Sequence, residues 1–280
     1  MQNIKIKIHQ KIKEWESPVI MAILNTTPDS FYSQSRLTAK DQIHKRIDDV
    51  VEQGANILDI GGMSTRPGAE TIDEKQEWER IRPALEYISK KYPEFPVSVD
   101  TFRPQIALKS FELFGVDIIN DISGGQLDPE MLKTVGQAGM AYVGMHMRCN
   151  PETMNQLTDY NDLMFDLCRY FGNLHQQCKD VGIADFILDP GIGFSKNIDQ
   201  NYTILNNLEM LKMLGFPILI GVSRKSLIYK FLDTSPEDSL IGTTVLNTLA
   251  VLKGAGILRV HDVKEASQTI KLIQKTLNSK

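Results

Sequence analysis

Cysteine is scarce in this chain: Cys149, Cys168 and Cys178 are the only three in 280 residues, and no two are spaced as CxxC. An odd, unclustered set excludes a disulfide framework and the ligand spacing of a zinc site, and it suits a reducing cytoplasm. Charge of one sign is missing too. Lys and Arg number 31 against 35 Asp and Glu, a net charge of -4, and the two signs are interspersed. No basic stripe is left for nucleic acid or an anionic membrane, so neither is expected as a partner. No apolar run approaches the roughly 18 residues that span a bilayer, and "MQNIKIKIHQKIKEWE" lacks the apolar stretch of a secretory signal. Linkers, internal repeats and low-complexity tracts are absent, so residues 1–280 read as a single domain with its core over about 18–275. What is present, 42% hydrophobic and 24% charged residues, is the composition of a soluble protein with a sizeable core.

Short, continuous apolar runs recur along the chain: 19–24 (VIMAIL), 56–60 (NILDI), 97–100 (VSVD), 116–121 (VDIIND), 141–146 (AYVGMH), 186–189 (FILD), 217–222 (PILIGV) and 257–260 (ILRV). Continuous rather than alternating runs mark parallel strands covered on both faces. Amphipathic stripes lie between them. Ile43, Ile47, Val50 and Val51 follow a Thr38-x-x-Asp41 start and stop at Gly54; Ile81, Leu85 and Ile88, Leu163, Leu167 and Leu174, and Val245, Leu249 and Leu252 form the others. Eight βα units in about 260 residues predict an α/β fold, a closed (β/α)8 TIM barrel, in preference to an open doubly wound sheet. "NIKIKIH" alternates apolar and polar residues and predicts a small strand or hairpin outside the barrel.

In such a barrel the C-terminal strand ends share one mouth. Those ends carry Asn25; Asp59; Asp100; Asn120 and Asp121; His146; Asp189; Ser223, Arg224 and Lys225; and Arg259, His261 and Asp262. Taken singly, an Asp or Asn after a strand is usually a turn former or helix cap. Taken together, polar groups converging on one pocket are costly to bury without partners, and a polar ligand would satisfy them. Asp100, Asn120 and Asp189 suit a flat heterocycle with a guanidine-like or pterin-like edge. Arg66, Lys225, Arg259 and His261 are cationic donors on strands two, seven and eight, where barrels commonly bind phosphate, so an anion is expected beside the ring.

The stretches "ILNTTPDSF", "LDIGGMSTRPGAE", "VSVDTFRP", "IINDISG", "LDPGIGFSKN", "GVSRKSLI" and "LRVHDV" occur in this order between about residues 19 and 265. They resemble the dihydropteroate synthase family, pterin-binding enzymes of folate biosynthesis. The resemblance implies a transferase that joins 6-hydroxymethyl-7,8-dihydropterin pyrophosphate to p-aminobenzoate, giving 7,8-dihydropteroate and pyrophosphate. It implies that Asp100, Asn120, Asp189 and Lys225 grip the pterin, with Asp59 behind them and Ile122, Met145 and Phe194 sandwiching the rings. Asn25, Arg66, Arg259 and His261 would meet the pyrophosphate, with Mg2+ bridging it to Asn25. Phe31, Thr65, Pro67 and Ser226 would hold p-aminobenzoate, and Asp100, Lys225 and Arg259 would act in catalysis. Residues 61–70 and "NTTPDSFYSQSR" would be closing lids. A homodimer through the late helices is also implied.

The first lid departs from the family pattern. After Phe31 the chain reads "YSQSR", with Ser33 where an Asp is usual and without two glycines. A pterin-binding methyltransferase and a non-catalytic pterin-binding homologue are the alternatives. The methyltransferase needs no pyrophosphate subsite, against which the cationic set argues. A metal-dependent hydrolase is disfavoured because His146 and His261 lack paired spacing.

Overall fold

Buried parallel strands need helices on their outer side and small or branched aliphatics within, and the chain supplies both. The computed structural model describes residues 3–27, 39–63, 72–148 and 157–279. An antiparallel hairpin, β1 (Ile4–Ile8) and β2 (Lys11–Trp15), precedes the sheet. The sheet strands are β3 (Val19–Asn25), β4 (Ile57–Gly61), β5 (Val97–Asp100), β6 (Ile118–Asp121), β7 (Ala141–Met145), β8 (Phe186–Asp189), β9 (Leu219–Ile220) and β10 (Ile257–Val260). They pair in parallel in the order β8-β7-β6-β5-β4-β3-β10-β9. Leu188 bridges Ile218, and its N–H donates to the Pro217 carbonyl at 3.0 Å, so the two ends of the sheet meet and the expected barrel forms.

The outer helices are α1 (Ala39–Glu52), α2 (Glu74–Lys91), α3 (Pro104–Phe114), α4 (Glu130–Ala138), α5 (Leu163–Asp180), α6 (Ile198–Asn206), α7 (Leu208–Lys212), α8 (Ser226–Tyr229), α9 (Leu240–Leu252) and α10 (Val263–Asn278). Their ends follow local chemistry. Asp73 with Gln76 and Asn197 with Gln200 form reciprocal capping boxes at α2 and α6, and Gly115 closes α3 at φ 66°. None of the described helices is long and apolar enough to cross a membrane.

The period of two along each strand divides its residues between two cores. Ile20, Leu58, Val99, Ile119, Tyr142, Leu188 and Leu258 face the helices. Met21, Ile57, Ile118, Val143, Ile187, Leu219 and Ile257 face inward. Ile4, Ile6 and Ile8 join this inner set. The predicted hairpin is therefore outside the sheet, but its apolar edge does not stay outside the barrel: it plugs the bottom. Backbone N–H groups of Lys7 and His9 donate to Asp185 (3.0 Å) and Asp117 (2.7 Å), fastening the plug to the loops beneath β8 and β6.

Two sequence expectations need correction. The seventh strand is two residues long rather than 217–222, because Pro217 has no N–H to give a ladder and the chain leaves the sheet at Gly221. In α9, Val245, Leu249 and Leu252 do not face the barrel; they are exposed, and Thr243, Leu246, Asn247, Ala250 and Val251 are buried instead.

Candidate active site

An inward aliphatic near the bottom of a strand fixes the direction of the residue two positions on. By that rule Ile57 turns Asp59 inward, Ile118 turns Asn120, Ile187 turns Asp189 and Ile257 turns Arg259. The hydrogen bonds agree. Arg259 lies across the mouth with Nε 2.6 Å from Asp59 Oδ2 and Nη2 2.6 Å from Asp100 Oδ2, while Asn120 Nδ2 donates to Asp59 Oδ2 at 3.0 Å. β4 and β5 run in register with Asp59 beside Ser98. Asp59 Oδ1 and the Ser98 hydroxyl are both buried and have no partner among the described residues.

On the far side, Asp189 Oδ1 accepts the Gly191 N–H at 2.7 Å. Lys225 Nζ donates to the Ile192 carbonyl and stands 4.7 Å from the Phe194 ring centre. Gly221 lies beside both cations: a Cβ there would stand in ordinary contact, 3.9 Å from Lys225 Nζ and 3.8 Å from Arg259 Cβ. Gly61 lies between β3 and β5 groups in the same way, its Cβ position 3.7 Å from Asp100 Oδ2 and 3.8 Å from Asn25 Oδ1. Ile122, Met145 and Met147 form a separate apolar cluster against which Phe102 and Phe194 pack. The mouth thus joins carboxylates, an amide, two cations and an apolar cluster.

Burial controls the charges. It raises Asp100 well above the ordinary carboxylate range, against the pull of Arg259, and raises Asp189 against that of Lys225. Burial pushes Lys225 down to about 8, although Asp189 favours its cation. Burial opposes the Arg259 charge, but Asp59 and Asp100 more than compensate and hold it above the ordinary arginine value.

Several expected groups turn elsewhere. Asp121 is adjacent to Asn120 and so faces outward; its carboxylate accepts from Ser123 N and Oγ, Gly125 N and the Tyr142 hydroxyl. Arg224, at φ 54°, forms a two-point pair with Asp262 (3.0 and 2.9 Å) and donates to the carbonyls of Pro236 and Glu237. His146 lies against Lys196. At His261, burial and then Arg259 push the imidazole down to about 4, and its ring Nδ1 lies 3.0 Å from the Ser223 hydroxyl. Ser226 begins α8 and is half-buried. Phe31, Thr65, Arg66 and Pro67, the lid stretches that hold them and the "YSQSR" departure lie outside the described residues. Sequence reasoning missed Met147, Phe102 and Lys196. Met147 had a signal, since it follows Met145 by two.

These features define a pterin-binding enzyme of the TIM-barrel class. The family described as "Pterin binding enzyme" matches residues 21–261, and the chain belongs to it. Its relatives include dihydropteroate synthases. That of Synechocystis sp. is 40% identical over 271 residues, covering 95% of this chain and 93% of its own. Two solved structures superpose over nearly the whole chain. The Yersinia pestis dihydropteroate synthase in a sulfonamide complex has a TM-score of 0.91 and 34% identity, covering 99% of this chain and 100% of its own. That of Xanthomonas albilineans with 4-aminobenzoic acid has a TM-score of 0.90 and 30% identity, covering 100% of both chains.

Proposed function

We propose that this chain is a dihydropteroate synthase, a transferase of folate biosynthesis, built as one pterin-binding barrel domain. The observation that carries the reading is the meeting of Asp100, Asn120, Asp189, Lys225 and Arg259 around the Ile122–Met145–Phe194 slot. A flat ring fits between the apolar walls, with its donor edge toward the carboxylates and its carbonyl toward Lys225. Asp59 supports the ring from below through Asn120. The pyrophosphate arm then points to Arg259, His261 and Asn25, joined by Arg66 of the second lid. Ser226 takes the p-aminobenzoate carboxylate, and Phe31, Thr65 and Pro67 close on its ring.

In the reaction the aniline nitrogen forms a C–N bond to the pterin methylene carbon, the C–O bond breaks, pyrophosphate leaves with the electron pair, and the nitrogen loses a proton. Asp100 and Asp189 offset positive charge that develops on the pterin as the C–O bond lengthens, and Lys225 and Arg259 hold the ring and the departing anion. Asn25 suits Mg2+: its amide oxygen is a hard donor that, like the Asp100 carboxylate, lies within 4 Å of the Cβ position at Gly61, and magnesium commonly takes few protein ligands beside phosphate oxygens. Bound there, the ion would neutralise charge on the leaving group.

We place the enzyme in the cytoplasm, where the free thiols of Cys168 and Cys178 stay reduced, and propose a homodimer through α9 and α10. Ile241, Val245, Leu249 and Leu252 on α9 and Leu272 on α10 are exposed, an apolar area that a second copy would cover. Sulfonamides, as p-aminobenzoate mimics, are expected to compete at the outer subsite.

The test is incubation with dihydropterin pyrophosphate, p-aminobenzoate and Mg2+, followed by detection of dihydropteroate and pyrophosphate. Both products in equal amounts are expected. Pterin retained on the protein with no product after prolonged incubation would overturn the assignment in favour of a non-catalytic homologue.

A further inference from the structure

Lys196, in the loop between β8 and α6, is the least exposed lysine or arginine among the described residues, and unlike Arg259 it has no carboxylate within ion-pair distance among them. Its ammonium is held by backbone and imidazole. Nζ lies 2.8 Å from the Phe194 carbonyl, 3.2 Å from that of Gly191, 3.3 Å from that of His146 and 3.0 Å from His146 Nδ1. Burial lowers the Lys196 pKa to about 7, although Asp189 favours its cation; as an ammonium it only donates, and His146 then offers the Nδ1 lone pair with its proton on Nε2. Burial, then Lys196 itself, pushes the imidazole down to about 2, which keeps that lone pair free. Burying a cation on neutral acceptors is costly, and an aliphatic residue would fill the same space without that cost. The Lys196 contacts instead tie neighbouring segments together.

The groups it joins belong to two elements. His146 follows Met145 at the end of β7, whereas Gly191 and Phe194 belong to the loop after β8. Met145 and Phe194 are two walls of the apolar slot. Between Phe194 and Lys196, Ser195 sits at φ 51°, a left-handed conformation that a non-glycine residue adopts at some strain. Its Oγ accepts the Arg148 N–H at 2.9 Å and donates to the Arg148 carbonyl at 3.1 Å, and its own carbonyl accepts from the Tyr160 hydroxyl at 2.9 Å. Gly191 packs so closely that a Cβ there would lie 2.2 Å from the His146 carbonyl oxygen. The loop is fastened to the end of β7 and the residues after it by several such ties, of which Lys196 is one.

We infer that Lys196 is a positioning residue for pterin recognition, fixing the spacing of Phe194 and Met145 through His146. The inference rests on the reading that this slot takes the pterin ring. Lys196→Met should raise KM for dihydropterin pyrophosphate by about tenfold and leave KM for p-aminobenzoate within about twofold. His146→Leu should do the same, and the double variant no more than either alone, because both remove one tie. His146→Asn, which keeps an acceptor near the Nδ1 position, should stay close to the parent. Thermal melts of the same preparations report folding; if Lys196→Met fails to fold, the two His146 variants carry the test. Unchanged pterin KM in the folded variants, or equal changes in both KM values, would overturn the inference. If the parent makes no dihydropteroate, the function proposed above fails. Calorimetric Kd values for the dihydropterin pyrophosphate, parent against variants, then decide the role of Lys196 by the same tenfold criterion.

Discussion

Lys225 touches Ile192 with its ammonium and overlies Phe194, and burial brings its pKa down to about 8. In the role proposed for it, the charged form donates to the pterin, and that form is present below this value and lost above it. The value of kcat/KM for dihydropterin pyrophosphate should therefore fall as pH rises through about 8. Lys225→Arg should keep its charge and push this limb to higher pH; Lys225→Met should lose the limb along with about 100-fold or more of kcat/KM. A pH-rate profile for the three proteins checks it, and an unchanged alkaline limb in the Met variant would remove Lys225 from the assignment. At this scale much was legible. Asp59, Asn120, Asp189 and Arg259 each stand two residues beyond an inward aliphatic, so strand parity was enough to aim them. Asp121 was not separable from Asn120 by residue type, since neighbours on a strand take opposite faces. Nor was the Arg259 pairing with Asp59 and Asp100, which joins positions 200 and 159 residues apart in the chain.

The elements show where periodicity speaks clearly and where it is silent. In β1 the alternation "IKIKI" marked one apolar edge, but nothing local says what covers it; the barrel bottom does. Ile6→Ala should lower unfolding free energy by about 2–4 kcal/mol in a denaturant titration, while kcat at a temperature where the variant stays folded remains that of the parent. A loss of kcat without loss of stability would mean the hairpin contributes to the site. In α9, aliphatic residues occupy both sides, and spacing alone chose the outer one. The inner side includes Thr243, whose hydroxyl accepts the Arg224 N–H at 3.1 Å, a role that only the tertiary fold reveals. β9 shrank for a different reason, the proline that opens its run.

For the whole molecule, exposed leucines on α9 and α10 are the feature that a lone barrel does not explain. Val245→Glu combined with Leu249→Glu should convert the proposed dimer to a monomer by light scattering, with little effect on monomer stability because both side chains are already in water. A dimer that persists would shift the interface to another face. The isoleucine plug carries a different consequence, for traffic. A barrel shut at its base is a cul-de-sac, so both reactants and both products use one doorway. In the proposed function, then, whichever reactant enters first must leave the doorway clear for the second.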